Sequence, residues 1–271
     1  MIRTILPAAL LVATPFAAAA QSTGKWEVKV SPAECSLVRG VTAPAPALLA
    51  VRTVPGIDAF VVLVSGKDVP ERSKDARFTA ELRFDDAKPI EATAMPAGKL
   101  AAGPVLQLAP FAPTMLDSFA AARSVQASSD SGSLARFDIP RAREAVAALR
   151  QCIADQLVEW GADPSQFDPG GTPPVALKER DRWLSNSQQL SLAATSTSMG
   201  IDYLYRVTVA TDGRIESCKR EDAKADAQVE KLGCEPLIGQ KLFTPAKNPA
   251  GVPVKGAAAF RVMLVKRGEP R

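Results

Sequence analysis

Residues 203–220, Tyr203-Leu204-Tyr205-Arg206-Val207-Thr208-Val209-Ala210-Thr211-Asp212-Gly213-Arg214-Ile215-Glu216-Ser217-Cys218-Lys219-Arg220, carry the reading on which the carboxy-terminal fold turns. Tyr203, Tyr205, Val207 and Val209 alternate with Leu204, Arg206, Thr208 and Ala210, the period of a strand with one bulky face. Asp212-Gly213 follows, and that pair tolerates the positive backbone angles that tight hairpin turns require. Arg214–Arg220 then returns as a second strand bearing Cys218. Beyond it, residues 225–239 hold Ala227, Leu232 and Ile238 among good helix formers and read as a helix containing Cys234, with Gly233 or Pro236 as interruption points. Residues 257–266 form a last, unusually apolar strand. A polar Ser/Gln/Thr-rich stretch after Trp183 has room for a short helix.

Working toward the amino terminus, residues 163–174 contain Asp-Pro, Asp-Pro-Gly-Gly and Thr-Pro-Pro, which continue neither a helix nor a strand and read as a linker. The linker separates a domain over residues 24–162 from one over 175–268. In the first, Trp26–Val30, Leu48–Thr53, Ala59–Ser65, Arg77–Phe84, Val105–Leu108 and Leu134–Ile139 are short apolar or alternating runs that read as strands. In the best of them Phe78, Ala80, Leu82 and Phe84 oppose Arg77, Thr79, Glu81 and Arg83. Pro140 suits the first turn of a helix, and Val146, Leu149, Ile153, Leu157 and Trp160 then recur at spacings of three and four, with Gly161 as the stop. The fold class is α+β, with an amino-terminal mostly-β domain closed by a long helix and a carboxy-terminal antiparallel sheet with a packed helix.

The extreme amino terminus has Arg3, a low-polarity stretch from Ile5 to Phe16, and Ala18-Ala19-Ala20, the pattern of a secretory signal peptide cleaved after Ala20. The stretch contains Pro7, Thr14 and Pro15 and is shorter than the roughly 20 apolar residues that span a bilayer. The mature chain is therefore expected in the periplasm, without a membrane span. Four cysteines, an even number, in a chain sent to an oxidising compartment argue for two disulfides. Pairing Cys35 with Cys152 and Cys218 with Cys234 keeps each bond inside one domain.

Composition removes several functions. The 271 residues are 46% apolar and include no histidine, which excludes Ser-His-Asp and Cys-His nucleophilic sites and any metal site that needs imidazole. No C-x-x-C pair is present for metal or redox work. The 33 basic residues against 29 acidic ones leave a surplus of four, too small to argue for nucleic acid. The remaining catalytic candidates read as structure. Asp85-Asp86 is a turn, Asp212 belongs to the hairpin, Ser65-Gly66-Lys67 lacks the spacing of serine–lysine acyl enzymes, and Gly170-Gly171 neither follows a strand nor opens a helix. Arg141, Arg143 and Arg150 read as the solvated face of their helix. Trp26, Trp160 and Trp183 read as packing anchors. Neither catalytic residues, nor a metal, nor a cofactor is expected.

The second domain resembles the carboxy-terminal domain of TonB, the periplasmic part of an energy transducer that engages outer-membrane receptors. The matching segments are Val207–Ile215 with the Asp212-Gly213 turn, Phe243-Thr244-Pro245-Ala246, Gly251-Val252-Pro253-Val254, and Phe260-Arg261-Val262-Met263-Leu264-Val265. Cys218 and Cys234 also resemble a pair found in a subset of that family. The chain departs from the pattern around residues 187–192, where the family often has Tyr-Pro, and at residues 220–224, where it has a serine- and glycine-rich turn; a cleavable signal replaces the membrane helix and proline-rich spacer. What the resemblance implies is a binding or adaptor module without force transmission. Its last strand, Ala259, Phe260, Arg261, Val262, Met263, Leu264 and Val265, would accept a peptide segment of an outer-membrane or envelope transport protein by strand addition. Proline at Val262 is expected to abolish that capture. The competing readings are an exported enzyme with its site in the first domain or the interdomain groove, and a structural envelope homodimer.

Overall fold

A computed structural model describes residues 24–42, 45–196, 200–221 and 226–265. The expected signal segment and Asp222-Ala223-Lys224 lie outside the described residues. The chain is α+β. Nine strands, β1 (Trp26–Ser31), β2 (Glu34–Val41), β3 (Ala47–Thr53), β4 (Phe60–Ser65), β5 (Phe78–Phe84), β6 (Ile90–Leu100), β7 (Gly103–Phe111), β8 (Ser124–Ser129) and β9 (Gly132–Asp138), form one antiparallel sheet in the order β1-β2-β3-β4-β7-β6-β5-β8-β9. Helix α1 (Met115–Ala121) links β7 to β8, and α2 (Ala142–Glu159) follows β9.

The alternation of Ala80, Leu82 and Phe84 places them in the core beneath α2, whose Val146 and Leu149 are fully buried. Cys152, one turn further on, is bonded to Cys35 on β2 across 117 residues. Trp26 closes the other end of the helix, where its Nε1–H donates to the Pro140 carbonyl at 2.8 Å.

Residues 163–174 are ordered rather than a free connection. A 3₁₀ turn spans Pro164–Phe167, capped by the Asp163 carboxylate, and Thr172 bridges to Lys247. The segment runs along the second sheet because the Asp163 N–H donates to the Lys255 carbonyl at 2.8 Å and the Thr172 and Lys247 backbones exchange bonds. Proline and glycine exclude regular structure here, but their unpaired backbone still has to find partners when it is covered.

After β10 (Val175–Ala176) and a 3₁₀ turn at Arg180–Arg182 comes α3 (Asn186–Ala194). It opens with a capping box, in which Ser185 and Gln188 satisfy each other's backbone N–H groups. Strands β11 (Gly200–Val209) and β12 (Ile215–Arg220), helix α4 (Ala227–Cys234), the short strands β13 (Phe243–Thr244), β14 (Ala246–Lys247) and β15 (Pro253–Val254), and β16 (Gly256–Val265) complete the order. The second sheet runs β12-β11-β16, all antiparallel. The bulky face of β11 is its buried face, with Tyr205, Val207 and Val209 at 1% exposure or less. The hairpin turn needs its glycine, since Gly213 has φ +86° and a Cβ there would stand 2.0 Å from the Phe243 carbonyl oxygen. Helix α4 is shorter than the expected helix over 225–239, and Cys234 at its end is bonded to Cys218.

Candidate functional site

Strand β16 is where the two sheets meet, and its two ends have different surroundings. Its even-numbered residues Ala258, Phe260 and Val262 enter the core of the second sheet. Phe260 stacks on Tyr205 at 4.9 Å and lies 5.4 Å from Trp183. On the opposite face Ala257 and Ala259 join Val54, Leu157, Trp160 and Ala162 in a separate apolar cluster built from the residue after β3, the end of α2 with the residues that follow it, and β16. Further along that face Arg261 and Met263 are exposed, Met263 at 66%.

The same two-residue alternation governs the backbone. In an antiparallel ladder every second residue turns its N–H and C=O toward the neighbouring strand, and the intervening ones turn theirs away. β16 pairs with β11 without a break in register from Gly256 to Val265. Ala259 marks the outward set, because its N–H donates to the Gly56 carbonyl at 3.1 Å and its carbonyl accepts from the Arg180 guanidinium at 2.7 Å. Arg261 and Met263 share that phase, and among the described residues nothing bonds their outward N–H and C=O groups.

This corrects the expected binding edge of Ala259–Val265 in two respects. Ala259 is fully buried, and both of its outward groups are already used within the chain. The inward phase of Phe260, Val262 and Leu264 means that their N–H groups serve the β11 ladder, so proline at Val262 would damage the sheet itself. The unpartnered edge runs from Arg261 to Val265, and its outward donors belong to the odd-numbered residues.

The cover over Ala259 is built from a turn and one arginine. Gly56, in the β3–β4 connection, has φ +78°, and a Cβ there would come within 2.6 Å of the Ala258 Cα. Only glycine permits that approach of two backbones. Arg180 donates to both the Gly56 and Ala259 carbonyls and forms an ion pair with Asp58 at 2.7 Å. Burial pushes the Arg180 guanidinium below its ordinary value, and the Asp58 carboxylate opposes that shift. Sequence reasoning missed Gly56 and Arg180. A visible signal was Ala257-Ala258-Ala259, a run of small side chains that leaves room for another backbone.

The other candidates have structural places. Asp85, at φ +46°, accepts the Arg123 and Ser124 amides, which hold its carboxyl below the usual carboxylate range. The Asp212 carboxylate accepts the Arg214 N–H inside the hairpin turn. Ser65 is buried and donates to the Gly103 carbonyl. Arg150 pairs with Asp117 of α1. Between the end of α2 and strands β11 and β12, about 150 Å³ lies among Trp160, Arg206, Thr208 and Lys219. Its one lining carboxylate is Glu159, and Arg206 is itself engaged by Glu221 at 3.2 Å. Among the described residues no three Cys, Asp or Glu side chains are grouped to hold a metal ion. Also among them, no helix is long and apolar enough to cross a membrane. Two disulfides are the mark of an oxidising, extracytoplasmic compartment.

No protein-family model and no curated protein matches the chain. Among solved structures, the crystal structure of invasion associated protein B from Bartonella henselae is similar at 13% identity and a TM-score of 0.30, over 48% of this chain and 96% of that one. A likeness of this size carries no argument about fold or function.

Proposed function

We propose that this is a periplasmic, TonB-like binding or adaptor protein, exported by a signal peptide removed after Ala20, that engages an envelope or outer-membrane transport protein by strand addition at residues 261–265. The observation that supports this reading is the open half of β16, where Arg261 and Met263 turn unpartnered backbone groups outward. An extended peptide laid along that edge would gain ladder hydrogen bonds, with Met263 as an exposed apolar contact beside it. The Asp202 carboxylate lies 3.4 Å from the Arg261 guanidinium and offsets its charge, and backbone pairing along the edge would carry the recognition.

Met263→Pro removes one outward donor and no β11 ladder bond, which Val262→Pro would not achieve. The test is crosslinking in native envelopes with photoreactive groups at Arg261 and Met263. Adducts to a peptide segment of an outer-membrane transport protein, lost in folded Met263→Pro, are the expected outcome. Adducts that persist in that variant, or that join two copies of this chain, overturn the adaptor reading; the second would make the edge a homodimer interface.

A further inference from the structure

A second feature lies at the far end of the nine-stranded sheet, where α2 begins. Arg141 precedes the helix in a left-handed conformation, φ +57° and ψ +35°, and no side chain caps the helix. The first-turn amides of an 18-residue helix are thus left pointing outward with the positive end of its dipole. A cleft of about 570 Å³ opens between this helix start and strands β1 and β2.

The cleft has two kinds of wall. Trp26, Leu37 and Ala148 supply an apolar side, and Lys25, Arg39 and Arg141 supply three cations against the single carboxylate of Glu144. Arg39 is the unusual member. It is only 3% exposed, its guanidinium lies 5.6 Å from the centre of the Trp26 ring, and it donates to the Gly24 carbonyl. Its Nε is buried with no hydrogen-bond partner; burial pushes the guanidinium below its ordinary value, and the Asp138 carboxylate opposes that shift without forming a direct ion pair with it. A buried cation without a paired anion is costly, and a chain that keeps one beside an uncapped helix start has two independent features that an anion would satisfy.

We infer that this cleft binds a small organic carboxylate with an apolar body, its charged end at Arg39, Arg141 and the first turn of α2 and its apolar end along Trp26, Leu37 and Ala148. The cleft volume is in the range that holds a small organic molecule. The Trp26 Nε1–H, bonded to Pro140 at the helix start, reports occupancy directly.

The test uses the chain from Gln21 onward, with the ¹⁵N indole resonance of Trp26 and calorimetric titration as readouts and decanoate, decanol and inorganic phosphate as probes. Decanoate is expected to move the Trp26 signal and to bind at least about tenfold more tightly than either other probe, a difference of about 1.4 kcal/mol. Arg141→Gly removes one cation while relaxing the left-handed residue, so the fold survives; it should weaken decanoate by about fivefold or more, and Arg39→Gln should weaken it further. Equal binding of decanol, equal binding of phosphate, an unmoved Trp26 signal, or undiminished decanoate affinity in Arg141→Gly would each overturn the inference.

Discussion

The nine-stranded sheet buries its apolar face under one long helix and closes that arrangement with a disulfide spanning 117 residues, whereas the three-stranded sheet is centred on Trp183, Tyr205, Phe243 and Phe260 and closes a loop of 16. The larger sheet has enough strands to form its own core. The smaller one does not finish its edge alone, since the small residues of β16 are covered by a turn and a helix end from the larger. The difference teaches that a three-stranded sheet can borrow burial from a neighbour along half a strand and leave the other half open. The borrowed half is covered by the larger sheet's elements, and the open half is the one on which the proposed strand addition rests.

The largest expected effect that separates the regions is removal of each disulfide. On a chain-entropy basis, loops of 117 and 16 residues stabilise by about 5 and about 3 kcal/mol. Cys35→Ala with Cys152→Ala should therefore cost about 2 kcal/mol more than Cys218→Ala with Cys234→Ala, read from urea unfolding of the two double variants. Equal losses, or the reverse order, would mean that residual structure in the unfolded chain, not loop length, sets these contributions.

A smaller effect tests the seam. Arg180→Met leaves the Gly56 and Ala259 carbonyls without their charged donor and should cost about 2 kcal/mol, as charge-assisted bonds in covered sites do. Asp58 is 63% exposed, so Asp58→Asn should cost less than about 1 kcal/mol. Hydrogen exchange gives the sharper reading. The Ala259 amide should lose protection in Arg180→Met, while the Phe260 amide, turned toward β11, should change little. Equal loss at both positions would break the distinction between a borrowed half and a self-supporting ladder.

Legibility followed the same division. Where one face is buried and the other wet, as in Phe78–Phe84 and Tyr203–Val209, the two-residue alternation locates the strand; β5 agrees to within one residue, while β11 starts three residues earlier, at Gly200. The hairpin was legible from Asp212-Gly213, and the even cysteine count suited two disulfides. Strands β2, β6 and β8 were not read. In β2 the buried series Cys35, Leu37, Arg39 ends on a charged residue, which hides the period. In β6 the buried positions are Ala92 and Ala94, and Pro96 interrupts the strand at a shift of register. In β8 only Val125 and Ala127 are buried among serines and Gln126. Helix α1, at seven residues, is too short to show a period. The phase of the proposed edge was not legible: sequence alternation says which side chains share a face, not which N–H groups turn toward β11, and that choice is fixed by pairing partners distant in the chain.

The smallest effect compares two carboxylates, the exposed Asp85 in the turn after β5 and the half-buried Asp163 at the start of the ordered connection. The Arg123 and Ser124 amides and the Ser124 hydroxyl donate to Asp85; only the Ser165 hydroxyl and amide donate to Asp163. Both carboxyls are held below their ordinary range by these donors. A carboxyl whose folded pKa is depressed contributes stability above its unfolded value, near pH 4, and loses that contribution as pH falls through the folded value. Asn keeps an acceptor and tolerates the left-handed backbone at position 85, so Asp85→Asn removes charge without adding strain. The urea midpoints of wild type and Asp85→Asn should therefore differ at about pH 7 and converge toward about pH 2. Asp163→Asn should show the same convergence from a smaller starting gap, because fewer donors face it. A gap that stays constant with pH would show that these carboxylates act through shape rather than charge, and a larger gap at Asp163 would place more of the chain's charge-dependent stability in the connection than in the sheet.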